Sequence, residues 1–101
     1  MPRHTKPKQV QDRATDVAIV IPPEGPTADF SFAGAMPTLK ELQAAVGGYI
    51  EAVAVNGVAR VVLVVNEEGL IHRLPENPRA SQIAGRLIVG TAVLLPRKLL
   101  D

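Results

Sequence analysis

Two β-rich runs separated by Asn56-Gly57 constrain this chain more than any other feature. Tyr49 to Val55 and Val58 to Val65 are dominated by Val, Ile, Ala and Tyr, and an Asn-Gly pair between such runs specifies a β-hairpin. The reason is conformational: a type I′ turn needs positive φ at both central residues, which Asn and Gly tolerate best. A two-residue loop also sets the register. Val55 is expected opposite Val58, Val53 opposite Arg60, Glu51 opposite Val62 and Tyr49 opposite Val64. The other face would carry Ile50, Ala52 and Ala54 against Ala59, Val61 and Leu63, small toward the turn and suited to a helix packed on the sheet.

The segments on either side carry their own signals. Val17 to Ile21 is a continuous apolar run stopped by Pro22-Pro23, which reads as a strand buried on both faces. Asp29 to Ala33 alternates polar and apolar, placing Phe30 and Phe32 on one side of a second strand. Thr38-Leu39-Lys40-Glu41 is a capping box, and Leu39, Leu42, Ala45 and Val46 follow at helical spacing from 39 to 46, with Gly47 placed to end the helix. After the hairpin, Asn66 to Gly69 reads as a turn with Gly69 in the left-handed position. Leu70 to Leu74 reads as a short strand. Asn77-Pro78 is an N-cap followed by a proline at the first helical position, opening a second helix to about Ala84 with Gly85 at its end. Leu87 to Leu95 reads as the last strand, with Gly90 as a candidate bulge.

The resulting order is β-β-α-β-β-β-α-β. It predicts an α+β domain on a mainly antiparallel sheet with two short helices, and both an open sheet and a partial barrel satisfy the pattern. The domain is expected over residues 14–98, preceded by a flexible basic tail at 1–13 and followed by a loose C-terminus at 99–101.

Composition removes several function classes. Cysteine is absent, which excludes disulfides, thiolate catalysis and Cys-ligated zinc. Phe30, Phe32 and Tyr49 are the whole aromatic inventory, too few for base-stacking platforms, and a net charge of +1 gives no global case for nucleic acid or membrane. No apolar run has the length of a membrane span and none follows the basic start as in a signal peptide, so a cytoplasmic location is expected. His4 and His72 lack the partner spacing of a metal site, and neither Ser31 nor Ser81 sits in a nucleophile elbow. Gly47-Gly48 follows a helix instead of opening one, so it is no phosphate loop. No catalytic residue, metal or cofactor is expected.

Glu51 is the residue most in need of a reason, being a carboxylate inside a strand-like apolar run. The expected register places Arg60 diagonally across from it. The pair is either a cross-strand salt bridge of about 0.2–1 kcal/mol or, beside Tyr49, part of a polar ligand patch. The same face carries Val53, Val55, Val58, Val62 and Val64. If both helices cover the opposite face, this one needs cover, for which self-association or curling of the sheet is favoured over a ligand.

Leu39 to Gln43 and then Val46-Gly47-Gly48-Tyr49-Ile50-Glu51-Ala52-Val53 resemble the signature of a domain family of phages, plasmids and bacterial genomes, domain of unknown function 3846. Val64 to Gly69, Leu74 to Ser81 and Ile88 to Leu94 are similar to its later blocks, so the resemblance covers about residues 17 to 95. It implies a small soluble accessory protein associated with mobile elements and brings no catalytic residue. By motif, Tyr49, Glu51, Asn66, Glu67 and Asn77 join Arg60 as candidate binding residues, Asn77 having a second explanation as a helix cap. The function expected is a non-enzymatic binding protein that sequesters a small anionic ligand or inhibits a host protein, with Arg60, Arg73, Arg79 and Arg86 supplying charge. The alternative is a nucleic-acid-binding accessory protein using Arg3, Lys6, Lys8 and Arg13 of the tail. An enzyme with Glu51 as general base ranks last.

Overall fold

The structure of the chain is a computed structural model, and it describes residues 18–100. The expected basic tail and Val17, the start of the first expected strand, lie outside the described residues. Five strands form one antiparallel sheet: β1 (Ile19–Ile21), β2 (Ala28–Asp29), β3 (Ile50–Val55), β4 (Val58–Asn66) and β5 (Ala92–Pro96). Their order across the sheet is β2-β1-β5-β4-β3. The sheet is open, with β2 and β3 at its edges, and not closed into a barrel. Two helices, α1 (Leu39–Val46) and α2 (Pro78–Ala84), complete an α+β fold.

Local chemistry accounts for the helix boundaries. The Thr38 hydroxyl accepts from the Glu41 N–H and the Glu41 carboxylate accepts from the Thr38 N–H, so both halves of the capping box form. Gly47, at φ 82°, closes α1 in the left-handed conformation, which a side chain would strain. Asn77 caps α2 through the Ala80 N–H, and Pro78 occupies the first turn, where no donor is missed.

Each face of the sheet carries its own core. On the α1 side, Leu42 and Val46 pack with Val62, Val64, Val93 and Leu95, with Phe30 and Phe32 resting partly against them, rings 5.7 Å apart. On the other side, Ala80 of α2 packs with Ile21, Val53, Leu63, Val65 and Ile88, joined by Ile83 and Ala84. β4 lies between β5 and β3, and Val62 to Val65 are all buried. Truncating Leu63 to Ala should therefore cost about 2–5 kcal/mol. Leu99 and Leu100, in and after a 3₁₀ turn at Arg97–Leu99, are half-buried against the first core.

The hairpin forms, but its register differs from the expected one. Val55 does face Val58; beyond it the ladder shifts, so that Ala54 faces Val62, Val53 faces Leu63, Glu51 faces Val65 and Ile50 faces Asn66. Ala59, Arg60 and Val61 are looped out of the ladder with β3. Only Gly57 of the turn has positive φ, so the turn is not type I′ and its geometry does not lock the strands. The offset of three residues is odd. It therefore moves Val62 and Val64 to the α1 face, and Leu63 and Val65 to the face shared by Glu51 and Val53. The valine-rich open face expected from the sequence does not exist, because one helix covers each side. β4 is apolar on both faces, so its pattern could not discriminate between registers.

Leu70 to Leu74 is not a strand. Residues 67–73 form consecutive turns, ended by Arg73 at φ 56° with its N–H donating to the Leu70 C=O and the Leu74 N–H to the Gly69 C=O. Arg73, not Gly69, takes the left-handed position. Gly69 is needed for a different reason: a Cβ there would lie 2.7 Å from Val89 Cγ2. The last strand is also shorter than expected. Gly90, at φ 78°, interrupts it, and Val89 makes only an isolated bridge to Glu76.

Candidate functional site

The six polar residues singled out from the sequence separate by burial. Asn77 is fully buried; its Nδ2 donates to the Ile21 C=O (2.8 Å) and the Gly90 C=O (2.9 Å), while its Oδ1 accepts from the Ala80 N–H (3.1 Å). One amide thus ties β1, the Gly90 loop and α2 together. Asn66 is buried as well. Its Nδ2 donates to the Val46 C=O at the end of α1 (3.2 Å) and its Oδ1 accepts from the Glu68 N–H (2.7 Å). Gly48 makes room for it, since a Cβ there would lie 2.9 Å from Asn66 Nδ2. Both side chains satisfy backbone groups that would otherwise lack partners.

The other four reach solvent. Arg60 lies in the looped-out stretch of β4, where the Ala59 C=O accepts from Arg97 Nε (2.8 Å). The register shift separates Arg60 from Glu51, and the partner of Glu51 is Arg86 (Nη2 to Oε2, 3.8 Å). Both are roughly half exposed and the distance is long, so the pair contributes no more than about 0.5 kcal/mol. Tyr49 is 64% exposed, and Glu67 is exposed in the turn after β4.

Glu51 and Glu67 meet at a cleft of about 250 Å³, where Asn66 also contributes to the lining. Buried Val65 and Ile88 and half-buried Val89 supply apolar lining, and Gly69, Leu70, Ile71, Arg86 and Leu87 complete it. Leu70 is 70% exposed, Ile71 75% and Leu87 54%. Tyr49, Arg60 and Asn77 are not part of this lining. Among the described residues no group of three or more His, Asp or Glu is placed to hold a metal ion, and no helix is long and apolar enough to cross a membrane.

The model of the family described as Domain of unknown function (DUF3846) matches residues 15–98, most of the chain. The chain belongs to that family. No curated protein and no solved structure matched the chain in parallel comparisons. The matched span includes both helices, all five strands and every residue of the cleft, and the description assigns no reaction to it.

The exposed apolar residues of the cleft were missed because Leu70 to Leu74 reads as a strand. The signal was present in the spacing. Leu70, Ile71 and Leu74 are apolar while His72 and Arg73 are polar, an i, i+1, i+4 pattern that fits a helical turn and not a strict alternation. Arg86 reads only as a source of charge and Leu87 only as the start of the last strand, so nothing local brings either to the cleft.

Proposed function

We propose that the protein is a non-enzymatic interaction module whose cleft receives apolar side chains of a protein partner. The observation that supports this most is the exposure of Leu70, Ile71 and Leu87 together around one cleft, where a chain with no partner would gain by burying them or replacing them with polar residues. The volume favours side chains over a metabolite: about 250 Å³ is below the ~300–1,000 Å³ usual for small-molecule sites. Charge favours the same reading. Glu51 and Glu67 outnumber Arg86 in the lining, so a small anion would meet net negative charge. Of the two branches expected from the sequence, inhibition or modulation of another protein is the one carried forward. An association with phages or plasmids, implied by the family resemblance, suits a small module that acts by docking.

Selection of peptides from a random library on the immobilised full chain tests the reading. The expected binders share apolar anchors and shift backbone amide resonances of residues 65–71 and 86–89 in NMR titration. Binders that perturb only residues away from the cleft would overturn it.

A further inference from the structure

The two edges of the sheet are treated differently by the sequence. β2 is two residues long, lies just after Pro26 and ends on Asp29, devices that blunt an edge against further pairing. β3 is six residues long and reads Ile-Glu-Ala-Val-Ala-Val, without proline, lysine or glycine. Its ladder to β4 reveals which backbone groups are free. The Glu67 N–H donates to the Tyr49 C=O (2.8 Å), extending the register in which Glu51 faces Val65 and Val53 faces Leu63. Hydrogen-bonded positions alternate along an antiparallel pair, so Tyr49, Glu51 and Val53 turn their amides and carbonyls toward β4. Ile50, Ala52 and Ala54 turn theirs outward, and no described strand lies beyond them.

We propose that this edge pairs antiparallel with β3 of a second copy of the same chain, giving a continuous sheet across a twofold axis at Ala52. The argument for a second copy is self-complementarity. The outward set maps onto itself in one register only: Ile50 opposite Ala54 of the other copy, Ala52 opposite Ala52, and Ala54 opposite Ile50. All three outward residues of each strand are then satisfied, with about six new backbone hydrogen bonds. That register also sets Glu51 beside Val53 of the other copy, not beside the second Glu51, so the two carboxylates are offset and each keeps its own Arg86. Tyr49, 64% exposed in the single chain, comes to lie beside Val55 of the other copy, giving an otherwise unexplained aromatic a surface to cover. Ala52 and Ala54 are exposed and small, so their own side chains leave room for close approach. The full chain carries eleven Lys and Arg against ten Asp and Glu, a net charge of +1, so copies repel little at long range. This surface is an edge and is independent of the cleft, which stays open on the face bearing Glu51.

Light scattering on the full chain from about 1 μM to about 1 mM should show a species of twice 10.7 kDa building up with concentration. Because the chain has no cysteine, Ala52→Cys gives a single thiol that should oxidise to a covalent dimer, the twofold placing the two Cα atoms about 5.5 Å apart. Ala54→Cys, two residues from the axis, should cross-link far more slowly. Ala52→Lys, at an exposed position, should keep the circular dichroism of the parent while returning the mass to that of one chain. A wild-type chain that stays single at about 1 mM, a dimer that survives Ala52→Lys, or equal cross-linking at 52 and 54 would each overturn the proposal.

Discussion

Two regions of this molecule invert the usual rule of polar outside and apolar inside. Asn66 and Asn77 are polar and buried, whereas Leu70, Ile71 and Leu87 are apolar and largely exposed. The difference lies in what each group finds around it. Every amide atom of Asn77 meets a backbone partner within 3.1 Å, so burial costs it nothing that the fold does not return. The exposed leucines and isoleucine stand around a cleft in contact with water, and among the described residues they belong to neither core. A buried polar group with all its hydrogen bonds made is a strut; an exposed apolar cluster at a concavity is, on the reading proposed above, a contact surface.

Substitutions that treat the two regions alike should therefore have opposite consequences. Asn77→Ala should have the largest effect, removing the cap of α2 and leaving the Ile21 and Gly90 carbonyls without their donor. A loss of roughly 3 kcal/mol is expected in urea unfolding. Asn66→Ala should cost less, roughly 1–2 kcal/mol: the Val46 C=O loses its donor, but the Glu68 N–H is partly exposed and can turn to water. A loss no greater than that of an ordinary surface substitution at either position would break the comparison from the strut side.

Glu41 gives a smaller effect with a pH signature. Its carboxylate accepts from the Thr38 N–H (2.8 Å) and the Ala33 N–H (3.1 Å), and these bonds hold its pKa below the ordinary carboxylate value. A lowered folded pKa means that the charged form is favoured by folding. The stabilisation is complete above the ordinary value and is lost as pH falls through the lowered one. Glu41→Gln should accordingly be less stable than wild type at neutral pH, with the gap in urea midpoint closing in acid. The smallest effect on stability is expected for Leu70→Ser combined with Ile71→Ser, within about 0.5 kcal/mol of wild type.

Much of the fold was legible because it is local. Thr38 and Glu41 are three residues apart, Gly47 and Gly85 end their helices in place, and Asn77-Pro78 needs only the next turn to act as a cap. The hairpin's existence was legible for the same reason. Its register was not, because Val62 to Val65 are apolar on both faces and Asn56 does not adopt the positive φ that would have fixed the strands. At the site, the sequence flagged Glu51, Asn66 and Glu67, which the cleft does bring together. It could not tell strut from surface. The acceptors of Asn66 and Asn77 lie 20 and 56 residues away in Val46 and Ile21, and Arg86 reaches Glu51 only through the packing of α2 on the sheet. Long-range partners leave no mark in a local pattern.

The central claim, that the exposed apolar cluster serves a partner and not the fold, is tested most directly by one paired measurement on Leu70→Ser/Ile71→Ser. A library-selected peptide is titrated calorimetrically into the double variant and into wild type, and the urea midpoint is taken from the same samples. The predicted result is an unchanged midpoint with binding weakened at least tenfold, about 1.4 kcal/mol. Unchanged binding, or a midpoint that falls as it does for the asparagine variants, would contradict it.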